Sequence, residues 1–436
     1  MIIPTKRLWA LVALGIPLAL AGLVVPGLEQ LVLPYNLLLA ALWWITGKVA
    51  LRQHPFVVSR FTDPVLSVRA KNQVRVLVEN ASNTPHRIRV RDEVPANCLA
   101  EGNEQVLKLP GYKTSEFTYT AIPQSRGRWE FRGTYIRYAA PLGLAEVQVA
   151  IGNEETARVF PNVKAVQEFE LLKQSGHLSL LGMRQSRVKG LGMEFESLRE
   201  YNDDDYRTID WKASARRGKL VVRNFEQETN QAVMICVDTG RHMLSEIDGV
   251  RKLDLCLDAA LLLMHAAERA NDQTGLLLFN DEVQRYIAPK RGKAQIGAIL
   301  DAVFDIQAEP VQSNYLGAFS YLASRWKRRS LVIVFTDAEN EDQAKELSAA
   351  LGLVRSRHLI YVVRVSDPKW KLSLVEPVNS ERILFDQAAA LWYRSDRQKA
   401  EATLRTLGYQ NIEAEPQDLA TALVQAYLRV KQLSLI

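Results

Sequence analysis

Apolar and polar positions follow three different periods along this chain, and each period predicts a different kind of element. From Leu8 to Leu28 no residue is charged, and a second charge-free run extends from Gln30 to Gly47. At about 1.5 Å of rise per residue, each run is near the roughly 20 residues that cross a hydrocarbon core. Only Glu29 and a few residues separate them, so residues 1–54 are predicted to form a hairpin of two transmembrane helices, about 8–28 and 30–47. Lys6 and Arg7 precede the first run and Lys48 and Arg52 follow the second, while the connection has no basic residue. Positive charge stays on the cytosolic side. The pattern therefore predicts a multi-pass protein of the inner membrane with both termini and the soluble part in the cytosol. Trp43 and Trp44 read as interface anchors. The alternative for the first run is a cleaved signal peptide, since Lys6, Arg7, the apolar stretch and Ala19-Leu20-Ala21 mimic its three parts; the second run would still need a membrane. Neither run has an internal ionisable residue, which argues against a transport pathway.

From about Phe56 to Ala150 the period falls to two. Gln73 to Glu79 and His86 to Val90 place apolar side chains at every second position, as half-buried strands do. Asn80 to Pro85 and Leu109 to Tyr112 punctuate them as turns. Residues 55–155 are expected to be a small β-sandwich. After about Ala232 the pattern changes again. The segments 232–238, 275–279, 331–337 and 359–365 are almost continuously apolar, as strands covered on both faces are. Val250 to Ala270 repeats apolar residues at three-to-four spacing, and a second helical stretch runs from Glu341 to about Leu353. Strands alternating with helices make 231–436 a doubly wound α/β domain. Arg325, Lys327, Arg328 and Arg329 read as a solvated helix end, and the C-terminal helices from about Asp386 are expected to pack on the sheet.

Composition narrows the reading without changing it. A chain of 436 residues needs two or three domains, and 47% hydrophobic with 24% charged residues excludes a disordered class. A net charge of +6 suits a face near anionic lipid and gives no support for nucleic-acid binding. Cys98, Cys236 and Cys256 form no paired framework, and the last two lie in apolar runs as buried thiols would.

Residues 156–230 carry the most unusual stretch: Gly192-Met193-Glu194-Phe195, Leu198-Arg199-Glu200-Tyr201, Asp203-Asp204-Asp205, and Arg207-Thr208-Ile209-Asp210-Trp211-Lys212-Ala213-Ser214-Ala215-Arg216. It resembles the signature of the bacterial family of domains of unknown function numbered fifty-eight. Asp203 stands where that pattern has glycine. Arg126-Gly127-Arg128-Trp129 and Pro141-Leu142-Gly143-Leu144 look like further family elements, with Ala140 where an aspartate is usual. The resemblance implies two helices before a sandwich, and then a von Willebrand A-like (Rossmann-like) domain. It also implies a MoxR-class AAA-type ATPase as partner, in the assembly, maturation or regulation of membrane or envelope complexes. The signature residues are Glu194, Arg199, Tyr201, Asp204, Asp205, Arg207, Asp210, Trp211, Lys212, Ser214 and Arg216. Their charged members read as a hydrogen-bonded network with Trp211 as its apolar plug. Two roles stay open, a clamp between domains and a docking face.

In doubly wound sheets ligands gather at the carboxyl ends of strands, where Asp238 and Asp337 fall. Von Willebrand A domains bind a divalent ion there through an Asp-x-Ser-x-Ser loop, a distant Thr and a further Asp, all oxygen ligands that suit magnesium. Here the loop reads Asp238-Thr239-Gly240-Arg241-His242, so both serines are missing, and Ser313 is the candidate for the Thr position. No cofactor is expected. Asp238 is expected to be satisfied by backbone amides or Arg241, with a degenerate magnesium site at Asp238, Ser313 and Asp337 as the alternative. No His-Glu-x-x-His run, Gly-x-Ser-x-Gly elbow or P-loop occurs. An interaction protein rather than an enzyme is the reading; a metal-dependent hydrolase or ligand receptor using the Asp238/Asp337 cleft is its rival.

Overall fold

Pro17 has no N–H to offer the carbonyl four residues back, and the first apolar run breaks beside it. In the computed structural model this run forms α1 (Lys6–Ala13) and α2 (Gly15–Ala21), with Leu14 between them. The span expected over 8–28 is thus seen as two adjoining helical segments, with 22 and 26 outside the described residues. The second run does form one helix, α3 (Val32–Arg52), shifted toward its basic end. Pro34 lies in its first turn, where a missing N–H breaks no helical bond. Among the described residues α3 is the one helix long and apolar enough to cross a membrane. The structure describes residues 1–21, 23–25, 27–63, 65–162, 193–200, 209–227, 231–375, 377, 379–433 and 435. It divides into two units, Met1–Phe160 and Pro161–Ile436.

The first unit begins with a strand that periodicity did not predict, β1 (Ile2–Pro4). After α3 come β2 (Phe56–Thr62), β3 (Val65–Ser67), β4 (Asn72–Asn80), β5 (His86–Asp92), β6 (Cys98–Glu101), β7 (Glu104–Leu109), β8 (Thr114–Pro123), β9 (Gly127–Ala139) and β10 (Ala145–Phe160). One sheet has the order β1-β10-β9-β5-β7, with β3 beside β10; the other has the order β2-β4-β8-β6. Val74, Val76 and Val78 of β4 and Ile88 and Val90 of β5 turn into a shared core, as their period-two spacing predicts. Tyr35 donates to the Leu11 carbonyl at 2.8 Å, and Leu8, Leu39 and Leu144 cluster, which holds α1 against α3.

An ion pair lies in the sandwich core. Arg60 of β2 donates to both oxygens of Asp92 of β5, at 2.9 and 2.6 Å. Tyr119 of β8 and Thr134 of β9 also donate to Asp92, at 2.6 and 2.7 Å. Arg60 and Tyr119 come from one sheet and Asp92 and Thr134 from the other, so a single carboxylate ties the two layers together.

In the second unit β11 (Met193–Glu200) and β12 (Val221–Gln227) pair antiparallel, with the short helix α4 (Trp211–Arg217) between them in sequence. There follow β13 (Ala232–Asp238), a two-rung hairpin of β14 (Glu246–Ile247) and β15 (Val250–Arg251), α5 (Lys252–Arg269), β16 (Gln273–Phe279), β17 (Val283–Lys290), α6 (Lys293–Val303) and α7 (Tyr315–Arg325). The chain ends with β18 (Leu331–Phe335), α8 (Glu341–Arg355), β19 (Leu359–Val365), α9 (Lys369–Ser373), α10 (Glu381–Thr406), β20 (Gln410–Ala414) and α11 (Pro416–Gln432). The large sheet has the order β17-β16-β13-β18-β19-β20, parallel except at the β17 edge. Val233, Ile235 and Val237 pack under α5, α6 and α11, while Met234 and Cys236 pack under α7, α8 and α10. Both faces are covered, which is why β13 reads as an unbroken apolar run.

Asp92→Ala leaves Arg60 buried without its partner, and is expected to destabilise the first unit by about 3–5 kcal/mol. Hydrogen exchange across β5, β8 and β9 of the full chain measures it; unchanged protection there would contradict a tie between the sheets.

Candidate functional site

The second unit's strand order creates a crevice. From β13 the chain steps to β16 on one side, then returns to place β18 on the other, so the connections leaving the carboxyl ends of β13 and β18 diverge to opposite faces at a topological switch point. Asp238 ends β13, and Thr336 and Asp337 follow β18 directly. Both carboxylates are buried.

Asp238 is enclosed by donors. Ser313 Oγ and the Gly240 N–H donate to Oδ1 at 2.5 and 2.8 Å, and Thr336 Oγ1 donates to Oδ2 at 2.7 Å. The Tyr315 hydroxyl lies 3.5 Å from Oδ2 and 2.9 Å from Thr336 Oγ1. Gly240 stands where the expected metal loop would carry a serine, and a Cβ there would lie 2.2 Å from Ser313 Oγ. The missing side chain is what lets Ser313 reach the carboxylate. The expectation of a backbone amide on Asp238 holds at Gly240. Arg241 is exposed and donates instead to His242 Nε2, at 3.3 Å. Burial raises the Asp238 pKa above the ordinary carboxylate value, against the lowering effect of these donors.

Asp337 meets cations. Lys252, the first residue of α5, donates to Oδ2 at 2.5 Å, and Arg397 of α10 lies 3.2 Å from Oδ1. Arg397 also pairs with Glu413 at 3.3 Å, and Glu413 with the buried Arg364 at 3.1 Å. Burial alone would raise the Asp337 pKa, but Arg397 and Lys252 outweigh it and hold the group below its ordinary value. A cleft of about 540 Å³ opens beside this cluster, lined among others by Trp370, Lys371, Arg394, Arg397 and Glu413. The donor chemistry does not fit a divalent ion. One candidate ligand carboxylate is already bonded to an ammonium and ion-paired with a guanidinium, and the hydroxyls of the other point their protons at Asp238. Thus Asp238 and Ser313 come together as the sequence suggested, while Asp337 turns to Lys252 and Arg397, which sequence reasoning missed.

The signature residues are only partly described. Glu194 and Arg199 lie on β11 opposite Glu226 and Val222. Tyr201, Asp204, Asp205 and Arg207 lie outside the described residues. Asp210 caps α4, its Oδ1 accepting from the Ala213 N–H at 3.0 Å, and Ser214 Oγ accepts from the Val221 N–H at 3.0 Å. These two bonds close the helix and tie it to β12, so this half of the motif has a local structural reason. Trp211 is no apolar plug: it stands at the first position of α4 and is 66% exposed, because the helix buries its Ser214 side instead. Lys212 and Arg216 are exposed with it.

A mixed α/β chain with one apolar N-terminal helix, a two-sheet unit and a sheet covered on both faces is the class these observations define. The family described as "Protein of unknown function DUF58" matches residues 197–426, more than half of the chain, and the chain belongs to that family. Among curated proteins none matches. Among solved structures, the conserved hypothetical protein BatB from Bacteroides thetaiotaomicron is 13% identical and covers 46% of this chain and 98% of its own, with a TM-score of 0.30. The FixG-related protein from Vibrio parahaemolyticus is 9% identical over 24% of this chain and 98% of its own, with a TM-score of 0.18. Likenesses at these scores carry no weight for fold or function.

Two predictions follow from the crevice. Magnesium at millimolar concentration is expected to leave the melting temperature of the chain unchanged; a rise that Asp238→Ala abolishes would overturn this. The second concerns pH. A raised folded pKa at Asp238 contributes stability that is complete below the unfolded carboxylate value, about 3.9, and is lost as pH rises through the folded value. Asp337, held low, contributes in the opposite sense, losing its stabilisation as pH falls. Asp238→Asn removes only the first contribution, so its melting temperature should gain on the parent's as pH rises above the unfolded carboxylate value, about 3.9. A constant or shrinking difference would refute the assignment.

Proposed function

We propose that this chain is a membrane-anchored interaction protein that works by binding rather than by turning over a substrate. In this reading its second unit is a von Willebrand A-like domain without a metal, and its partner is a MoxR-class AAA-type ATPase. The observation that carries the reading lies on α10. Leu384, Phe385, Ala388, Leu391 and Trp392 recur at spacings of three, four and seven, which places them on one face of the helix. Phe385 is 73% and Trp392 72% exposed. Apolar side chains gathered in a continuous exposed stripe mark a protein-binding surface more often than a solvated one. Aromatic anchors of this kind dominate binding energy where they occur. Trp211 on α4 is a second exposed aromatic in the family signature.

The N-terminal segments support the anchoring. Helix α3 crosses the inner membrane and α1 with α2 returns alongside it, with Lys6, Arg7, Lys48 and Arg52 on the cytosolic side. Tethering would hold the ATPase close to membrane clients and raise its effective concentration there.

Capture by the full chain from a bacterial membrane extract, with ATP and magnesium, tests the proposal. The parent should retain a MoxR-class ATPase, and Phe385→Ala/Trp392→Ala should lose at least about tenfold of it, since hot-spot aromatics are worth 2 kcal/mol or more. Both side chains are exposed, so melting should move little. Retention undiminished by the double substitution would remove α10 from the interface; no ATPase under any nucleotide condition would turn attention to the Asp238/Asp337 crevice as a ligand receptor.

A further inference from the structure

Two exposed apolar side chains in the first unit sit at positive φ, a conformation that residues with a Cβ rarely adopt. Leu142, at φ 69°, is 67% exposed, and Tyr112, at φ 53°, is 69% exposed. Both loops are braced. The Gly143 N–H donates to the Ala140 carbonyl at 3.0 Å, and Ala140 N–H to the Ala145 carbonyl at 2.8 Å. The Tyr112 N–H donates to the Ser82 carbonyl at 2.9 Å, and a Cβ on Gly111 would lie 2.2 Å from the Asn83 carbonyl oxygen. Strain that is held by so many contacts, and that serves to push an apolar side chain outward, points to a function.

The two loops occupy the same end of the sandwich as the helices. Helix α3 ends at Arg52, and β2 begins at Phe56 opposite Asn80, whose N–H donates to the Lys113 carbonyl at 3.0 Å. Across the other sheet His86 pairs with Leu109, and Tyr138 donates to the Ala50 carbonyl at 2.5 Å. Thr5, which caps α1, donates to the Gly143 carbonyl at 2.7 Å. The start of α1, the end of α3 and the tips carrying Tyr112 and Leu142 are therefore at one level. Cations gather there as well. Arg87 lies directly opposite Lys108 across β5 and β7, an arrangement that costs stability in water, and exposed Lys113 adjoins Tyr112.

We propose that this end of the sandwich rests in the headgroup region of the bilayer. Leu142 and Tyr112 are its interfacial anchors, and Arg87, Lys108 and Lys113 face anionic lipid headgroups. The inference depends on α3 being the membrane anchor. If it is, loops at the level of its cytosolic end meet lipid before they meet bulk water, and Tyr with Leu flanked by Lys and Arg is the composition that suits that layer. The like-charge pair is then stabilised by phosphate between its members.

The test places one cysteine at a time at 142, 112, 40 or 101 of the full chain, labels it with an environment-sensitive fluorophore, and reconstitutes it in nanodiscs with spin-labelled lipid. The native thiols are buried, and burial raises their pKa values, that of Cys98 to about 11, so the label goes to the introduced site. Ala40 reports on the middle of α3. Glu101 lies opposite Thr120 on β8, about 20 Å from Thr114 at about 3.3 Å per residue, and reports on the far end. Quenching of 142 and 112 by headgroup-depth spin labels, of 40 by deep labels and of 101 by neither is the expected pattern. Quenching at 40 without quenching at 142 and 112 overturns the proposal and leaves the anchor standing. No quenching at 40 overturns the anchor and the proposal with it. Phosphatidylglycerol should strengthen the quenching at 112, and Arg87→Glu/Lys108→Glu should remove that gain; a response equal in neutral and anionic lipid overturns the headgroup assignment.

Discussion

A carboxylate taken out of water costs several kcal/mol unless cations or donors surround it, and the second unit buries two at the carboxyl ends of its central strands. The arrangement around those strand ends follows from this constraint. Asp337 is held between Lys252, at the start of a helix on one face, and Arg397, in a helix on the other. Asp238 draws in Ser313 from the loop before α7 and Thr336 from the end of β18. Each partner comes from a different segment, so neutralising two charges fixes both helical layers against the sheet. The fold places the carboxylates there because strands of a parallel sheet end together, and the switch point leaves their ends exposed to whatever group the rest of the chain supplies.

The sandwich solves the same problem in smaller form. Asp92 is bonded by a guanidinium and two hydroxyls, drawn from both sheets. A buried pair of this kind contributes less to net stability than its short distances suggest, since desolvation offsets most of the attraction. Its stronger effect is on register. A strand slipped by one residue would turn Asp92 outward and leave Arg60 charged in the core, so the pair penalises wrong alignments more than it rewards the right one.

Elements with a strong period were legible in the sequence. The strands at 232–238, 331–337 (ending at Phe335 in the structure) and 359–365, the helices α5 and α8 and the alternation in β4 and β5 are legible from spacing alone, because burial on one or both faces writes itself into the apolar pattern. Short pieces are not. Ile2–Pro4 is three residues and has no period, and its pairing with Ala145–Val147 is a contact across the whole first unit. Asp238 and Asp337 are legible because strand ends are predictable positions, and Ser313 only through the likeness to the von Willebrand A metal loop. Lys252 and Arg397 are not, since nothing in an amphipathic helix distinguishes a lysine that will be buried from one that will be solvated. Trp211 was misread for the opposite reason: an aromatic residue among charges suggests a core, and only the cap at Asp210 and the bond from Val221 to Ser214 show which side of α4 faces inward.

The contrast between interior and surface argues for where binding energy would come from. At the crevice each carboxylate already has charged or hydrogen-bonding protein partners, so an approaching ligand would compete with them. On α10 the balance is reversed. Phe385 and Trp392 hold no such contacts, and covering them removes apolar area from water without breaking anything. Any surface covering them would gain most of their hydrophobic term, while the Arg397–Asp337 pair holds the same helix against the sheet.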